Sequence, residues 1–183
     1  MIFSMGVLFA QRGFSMNPDF ERKLLTMRPA HMRTIALAGA EDPAALCAVR
    51  HAFDMGFART VLFGDAARIK SVAVDNGINI SDFEIIDVHG EAETVAAAVS
   101  LIRDGRADIL MKGLVHTSDL LHAVLNRETG IRGASGLLSH VAAMYSPSRN
   151  RILFLTDVAM VMYPDLETKV RLIQNAVQFA NAA

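Results

Sequence analysis

Short apolar runs alternate with amphipathic stretches along the chain from residue 34 onward. Four runs have the composition of buried strands and lie at residues 34–40, 60–63, 83–88 and 108–111. Each run contains or is soon followed by a glycine, which is typical of a strand that ends in a tight loop. The pattern therefore predicts four short strands, each followed by a turn.

The stretches between these runs carry apolar residues at helical spacing. Asp42 and Pro43 have the residue types of a cap and a first turn, and further helices are predicted at 66–76 and 91–103. A fourth helix is predicted to start with Thr117 or Ser118 as its cap. The apolar positions of these helices are Leu46, Val49, Phe53, Ile69, Val72, Ala73, Val95, Ala98, Val99, Ile102, Leu120, Leu121, Val124 and Leu125. Strands that alternate with helices indicate βαβ units, so we expect a three-layer α/β/α fold around a mostly parallel, doubly wound sheet.

The alternation of predicted strands and helices ends near residue 130. Residues 128–139 include three glycines and predict a loop, after which two β-prone runs at 140–145 and 151–156 enclose a turn-rich spacer. So short a spacer favours an antiparallel hairpin over a crossover. A last helix is predicted at 165–180, with Leu166, Val170, Ile173 and Val177 facing inward. We therefore expect a leading segment at 1–33 and a parallel α/β domain at 34–130. Residues 131–183 are expected to form the first, incomplete part of a second domain.

Composition excludes several classes of protein. The chain has 18 Lys and Arg against 19 Asp and Glu, a net charge of −1, which argues against nucleic-acid or polybasic membrane binding. A hydrophobic share of 52% argues against disorder, and no apolar run reaches the roughly 20 residues of a membrane helix. The single cysteine, Cys47, excludes an intramolecular disulfide and a cysteine-cluster metal site, which favours the cytoplasm. The apolar start at residues 1–10 lacks the basic residues of a signal peptide.

Candidate chemistry lies where the predicted strands end. Ligands of open α/β sheets bind at the carboxyl ends of the strands, which here groups residues 39–42, 64–65, 89–90 and 112–118. The last segment is the richest, because Lys112 supplies a cation, Gly113 allows close backbone approach and Thr117 supplies a hydroxyl group. These are parts of a phosphate site, but they also fit a sheet-end turn with an exposed lysine and a helix cap.

Several standard sites are excluded by spacing. The chain contains neither the P-loop motif nor the dinucleotide-binding glycine motif. His116 and His122 are six residues apart and would lie on different helix faces, so we expect no metal site. Ser139 and His140 are adjacent at a strand and point to opposite faces, which excludes a direct nucleophile–base pair. Asp157, at the end of a predicted strand, fits either a general base or a turn cap.

Three segments in order resemble the phosphate acetyl/butyryltransferase family. They are Met-Lys-Gly-Leu-Val-His-Thr at 111–117, Leu-Leu-Ser-His-Val at 137–141 and Thr-Asp-Val-Ala-Met at 156–160. The resemblance extends from about residue 34 to the end of the chain. It implies reversible transfer of a short acyl group between coenzyme A and phosphate, with coenzyme A as a substrate, no permanently bound cofactor and no metal. It also implies an isocitrate/isopropylmalate dehydrogenase-like architecture with two interleaved domains, in a homo-oligomer.

The resemblance also implies a set of substrate-binding residues. It places Lys112, Gly113, His116 and Thr117 in the ligand cleft, with Ser139, Thr156 and Asp157 on the facing side. Val161 departs from the family pattern, which has an Asn-like residue there.

The chain is shorter than the members of that family. The Ser-Arg pair and the aspartate that the resemblance assigns to catalysis would follow residue 183, so no catalytic residue is identified here and we expect a truncated form. The alternatives are a non-catalytic ligand-binding or assembly module of the same family and a flavodoxin-like nucleotide-binding domain. We also expect self-association, because a truncated protein exposes apolar surface.

Overall fold

The computed structural model describes residues 22, 26, 29–132 and 137–182. Contacts divide the chain into two units, of which the described parts are residues 29–132 and residues 137–182 with 22 and 26. Most of the predicted leading segment and residues 133–136 of the predicted glycine-rich loop lie outside the described residues. Among the helices that are described, none combines the length and the apolar character needed to cross a bilayer.

The first unit is a four-stranded parallel sheet with connecting helices. Its strands are β1 (Arg33–Ala38), β2 (Ala58–Gly64), β3 (Glu84–Asp87) and β4 (Ile109–Lys112), in the order β3-β2-β1-β4. Its helices are α1 (Pro43–Asp54), α2 (Ala66–Asp75), α3 (Glu91–Arg103) and α4 (Thr117–Leu125). Strand β1 pairs with β2 on one side and with β4 on the other. The four predicted strands and the parallel α/β fold are confirmed.

Side chains of the central strands alternate between the two faces of the sheet. Ala36 and Phe63 pack with the buried residues of α3 and α4, including Val95 and Val124. Leu37 packs on the opposite face with the buried residues of α1 and α2. This alternation with a period of two buries both faces of the sheet, so the predicted three layers are confirmed.

Some helices of the first unit have a side-chain cap at their N-terminus and others do not. Asp42 caps α1 by accepting a hydrogen bond from the Ala44 amide at 2.9 Å, as predicted. The predicted cap of α4 is wrong, because Thr117 is already helical and His116 is the cap residue, without a side-chain cap hydrogen bond. The reason is that residue 116 keeps an extended conformation, with φ of −72° and ψ of 140°, as the chain leaves the turn after β4.

The second unit contains the predicted hairpin. Strands β5 (Val141–Ser146) and β6 (Arg151–Thr156) pair antiparallel through a short helical turn, Pro147–Arg149. Asn150 closes this turn with φ of 47°, a left-handed conformation that asparagine adopts more readily than most residues. The helix α5 (Leu166–Ala182) follows, so the hairpin and the last helix are both confirmed.

The inward face predicted for α5 is wrong. Leu166, Val170, Ile173 and Val177 are all exposed, whereas Leu172 is 4% exposed. Phe179 packs edge-on against Phe154 of β6, with the ring centres 5.4 Å apart. The helix carries a second apolar stripe through Leu172 and Phe179, and packing against β6 selects that stripe. Helical periodicity alone does not distinguish two apolar stripes on one helix.

Candidate functional site

A cleft lies at the carboxyl ends of the four parallel strands, within the first unit. Each strand end or the helix that follows it contributes lining residues. They are Gly39, Glu41, Asp65, Arg68, Val88, His89, Gly90, Glu91, Thr94, Leu114 and Val115. The prediction that the four strand-end segments lie together is confirmed, and we call this edge, at the carboxyl ends of the strands, the rim.

The loops after β1 and β4 meet beside this cleft. Gly113 donates a backbone hydrogen bond to Ala38 at 2.8 Å, and Leu114 donates one to Gly39 at 2.7 Å. The chain leaves β1 toward β2 on one side, while β4 lies on the other side, so the strand order reverses here. Such a switch point opens a crevice in which ligands of doubly wound sheets bind.

Two carboxylates of the cleft serve the local fold. Glu41 accepts a hydrogen bond from the Asp65 backbone amide at 2.9 Å. Asp65 caps α2 by accepting from the amides of Arg68 at 3.0 Å and Ala67 at 2.9 Å, which lowers the pKa of Asp65. Backbone donors therefore occupy both carboxylates, and at Asp65 they favour the charged form.

Glu91 and His116 join two neighbouring loops. The Glu91 carboxylate accepts a hydrogen bond from the backbone N–H of His116, and its two oxygens lie 2.8 and 2.9 Å from Nδ1 of the imidazole. The side-chain hydrogen bond and the charge of Glu91 raise the pKa of His116. The His116 backbone and side-chain donors lower the pKa of Glu91. Each of these two groups therefore favours the charged form of the other.

Glu91 was missed at the sequence level. The segment expected at the end of β3 covered only residues 89–90, whereas Glu91 is the first residue of α3. The available signal was its position, because the first residue of a helix after a parallel strand lies at the same rim. Its pairing with His116 spans 25 residues of sequence, which no local pattern reveals.

The same residues form a cluster of the kind that binds metal ions. Among the described residues, Glu91, His116 and Asp119 are the group that places imidazole and carboxylate atoms within 4.8 Å of one another. Two carboxylates and one imidazole suit a divalent transition metal. The direct hydrogen bonds between Glu91 and His116 already satisfy these two groups, so the absence of a metal site stays a prediction.

The four candidates of the first unit lie in one short segment. Lys112 ends β4 and is exposed, with Nζ donating to the Gly113 carbonyl at 3.3 Å. Gly113 is buried against the β1 loop, and His116 and Thr117 are exposed at the start of α4. The segment therefore presents a lysine, an imidazole and a hydroxyl group at the rim.

The candidates of the second unit lie on and beside the hairpin. The Ser139 hydroxyl accepts from the Asn175 amide of α5 at 2.9 Å. Thr156 ends β6, and its peptide bond with Asp157 is cis. In the described part of the chain, Thr156 Oγ1 and His140 Nδ1 are buried without a hydrogen-bond partner. Buried polar atoms are normally hydrogen-bonded, so both atoms retain unused capacity for a ligand or water.

Asp157 is held by backbone donors. Its Oδ2 accepts from the His140 amide at 2.8 Å. Its Oδ1 accepts from the amides of Ala159 at 2.8 Å, Met160 at 2.6 Å and Val161 at 3.3 Å. Burial by itself raises the pKa of Asp157, but these donors together lower it. This is the geometry of a turn cap, one of the two alternatives that the sequence leaves open for this residue.

The chain is similar in sequence to known phosphate acyltransferases. A family model described as "Phosphate acetyl/butaryl transferase" matches residues 19–96 and 91–183. The chain is 38% identical to the phosphate butyryltransferase of Clostridium acetobutylicum, over 90% of this chain and 54% of that protein. It is 38% identical to the phosphate acetyltransferase of Rhizobium meliloti, over 79% of this chain and 49% of that protein. The chain thus spans about half the length of these relatives.

A solved structure shows the same similarity. The branched-chain phosphotransacylase from Enterococcus faecalis V583 superposes with a TM-score of 0.68 and 28% sequence identity. The superposition covers 82% of this chain and 51% of that chain. Fold and sequence therefore point to the same family.

Proposed function

The chain belongs to the Phosphate acetyl/butaryl transferase family, and from that membership we propose that it takes part in reversible acyl transfer between coenzyme A and phosphate. In this reaction the coenzyme A thiol attacks the carbonyl carbon of an acyl phosphate. The carbon–sulfur bond forms, the carbon–oxygen bond to phosphate breaks, and the thiol proton is released. The products are acyl-CoA and inorganic phosphate, so coenzyme A is a substrate and no permanently bound cofactor is needed.

The observation that carries the proposal is the segment from Lys112 to Thr117 at the switch point of the sheet. This segment holds the first family motif and presents cationic and hydroxyl groups beside the cleft. The cap residue of α4, His116, makes no side-chain cap hydrogen bond. A helix N-terminus without such a cap favours anions, since its amides and the helix dipole carry partial positive charge.

The proposed roles follow from the chemistry of each group. Lys112, His116 and Thr117 bind phosphoryl oxygens, and Gly113 lets the backbone approach them. Ser139, Thr156 and Asp157 are proposed as further substrate-binding residues, and among the described residues the hydroxyl group of Thr156 has no hydrogen-bond partner. Direct transfer between the two substrates requires no enzyme nucleophile, so the exposed Cys47 has no role.

The proposal extends to assembly and location. We propose a homo-oligomer, supported by the exposed apolar stripe of α5, which consists of Leu166, Val170, Ile173 and Val177. We propose a cytoplasmic location, with coenzyme A, acyl-CoA, phosphate and acyl phosphate as the partners. The single cysteine and the balanced charge support this location.

The test combines an assay with binding measurements on the full 183-residue chain. Formation of acyl-CoA is followed with acetyl phosphate or butyryl phosphate and coenzyme A, and the affinity for coenzyme A and phosphate is measured by calorimetry. Lys112→Gln is expected to weaken binding of phosphate-bearing ligands. Lys70→Gln is the matched control, because Lys70 is an exposed lysine of α2 that lies outside the Lys112–Thr117 segment.

The outcomes separate the two candidate functions. Acyl-CoA formation that depends on Lys112 supports the transferase. Binding of coenzyme A without turnover supports the ligand-binding module instead. A chain that binds neither coenzyme A nor phosphate contradicts both.

A further inference from the structure

The contact between Glu91 and His116 involves two different donors on one residue. Glu91 accepts from the backbone N–H of His116 and also lies within 2.9 Å of the imidazole Nδ1. The first contact holds the backbone of the turn before α4, and the second holds the ring. A single carboxylate at the start of α3 therefore orients both parts of a residue in the first family motif.

The contact leaves the second ring nitrogen, Nε2, without a hydrogen-bond partner among the described residues. With Nδ1 engaged by both carboxylate oxygens, the proton of the neutral imidazole resides on Nδ1, and Nε2 is left over. The His116 side chain is 80% exposed, so Nε2 is accessible to a ligand. In the protonated ring Nε2 carries a hydrogen and donates, whereas in the neutral ring it accepts. Protonation therefore decides which ligand atoms Nε2 can bind.

The groups around the imidazole determine how easily it is protonated. Glu91 of α3 faces Nδ1, Asp119 lies in the first turn of α4, and Lys112 lies at the end of β4. The two carboxylates favour the charged ring and the lysine disfavours it, with the carboxylates prevailing. A protonated His116 also offsets the negative charge of Glu91, which would otherwise repel a phosphate at this rim.

We infer that Glu91 is a positioning residue, which holds His116 so that Nε2–H donates a hydrogen bond to a phosphoryl oxygen. This inference rests on the proposed function and adds to it a proton linkage. Ligand binding weakens as the pH rises through the pKa of His116, since Nε2 then loses its hydrogen. The phosphoryl group belongs either to the acyl phosphate and inorganic phosphate or to coenzyme A.

The experiment compares Glu91→Gln with Glu93→Gln in the full chain. Both variants remove one carboxylate from the first turn of α3, but only Glu91 contacts His116. The ring protons of His116 are titrated by NMR, and Glu91→Asp tests whether a carboxylate at this position restores the contact. Affinities for inorganic phosphate and for coenzyme A are measured separately across the same pH range, which distinguishes the two sources of the phosphoryl group.

In Glu91→Gln we expect the pKa of His116 to fall and the affinity at neutral pH to drop about two- to fivefold, the scale of an exposed ion pair. Glu93→Gln should change neither. An unchanged His116 titration in Glu91→Gln would overturn the positioning role. A lowered pKa with unchanged ligand affinity, or an affinity that rises with pH, would overturn the phosphoryl contact. Failure of the unsubstituted chain to bind either ligand would overturn the proposed function and this contact together, while the NMR titration would still decide the positioning role.

Discussion

A β-carbon placed on Gly113 would lie 2.0 Å from the carbonyl oxygen of Gly39. The loops after β1 and β4 therefore touch at backbone level, at the point where the strand order of the sheet reverses. Gly39 itself has φ of 74°, and a β-carbon there would lie 2.7 Å from the carbonyl oxygen of Leu114. Both positions thus require glycine for the candidate cleft to keep its shape.

Replacement of Gly113 by alanine should destabilise the chain. The obstructing atom is backbone, so it cannot rotate away, and overpacking of this kind costs about 1–3 kcal/mol. Phosphate binding should weaken as well, because the Lys112–Thr117 segment must shift. Urea unfolding and calorimetry measure the two effects.

Gly105→Ala is the control for this substitution. Gly105 has φ of 71°, but no atom of the described residues lies within 4 Å of its β-carbon position, so this variant reports backbone strain alone. It should cost about 1 kcal/mol and leave phosphate affinity unchanged. A Gly113→Ala chain with native stability and affinity would contradict the close contact.

Replacement of Asp157 should destabilise the second unit in a pH-dependent way. Asp157→Ala leaves four backbone amides without their acceptor, a loss of about 2 kcal/mol. The pKa of Asp157 is lowered in the folded chain, so its contribution is present above the unfolded pKa of about 3.9 and disappears as the pH falls through the folded value. Urea unfolding at neutral and acidic pH should therefore show a difference between wild type and variant that shrinks in acid. An equal difference at both pH values would contradict the role of the charge.

The two stripes of α5 should respond differently to substitution. Leu172→Ala removes a side chain that is 4% exposed and should cost about 3 kcal/mol. Ile173→Ala changes a side chain that is 60% exposed in the single chain, and it should stay within about 0.5 kcal/mol when unfolding is measured at a concentration that keeps the chain monomeric. Urea unfolding of the two variants tests this difference, and equal costs would contradict the observed packing of α5.

Self-association should depend on the exposed stripe of α5. Ile173→Glu introduces a charge into an apolar surface that we propose to be covered in the oligomer. Sedimentation velocity should show a smaller species for this variant than for wild type. Oligomers of unchanged size would show that another surface mediates assembly.

Chelation should leave ligand binding unchanged. The Glu91–His116–Asp119 cluster has the composition of a metal site, but Glu91 and His116 already pair with each other. Binding of coenzyme A and phosphate should be the same before and after treatment with EDTA. Loss of binding that zinc or manganese restores in wild type, but not in Asp119→Asn, would show that the cluster holds a metal.

The alternation of strands and helices was predictable because buried positions recur in the sequence as apolar residues at regular spacing. Residues such as Leu37, which is fully buried, belong to near-continuous apolar runs that mark strands covered on both faces. The cap at Asp42 was predictable for a similar reason, since it involves an amide only two residues away. The hairpin of β5 and β6 followed from the short, turn-rich spacer between two β-prone runs.

Local sequence patterns do not predict which face of α5 is buried, and they do not predict the pairing of Glu91 with His116. Both stripes of α5 have helical spacing, and the packing of the helix against β6, which includes the contact of Phe179 with Phe154, decides which one is buried. Glu91 meets His116 because parallel crossovers bring the ends of β3 and β4 to one rim, where residues distant in sequence become neighbours.

By itself, the sequence determined the strands, the helices, the parallel fold and the family. These properties depend on local periodicity and on motifs whose residues are contiguous in the sequence. Only the tertiary structure decided which carboxylate holds His116, that Asp157 serves as a turn cap, and which stripe of α5 is covered. Each of these depends on distances between residues that chain folding alone brings together, and hydrogen bonds act only over a few ångströms.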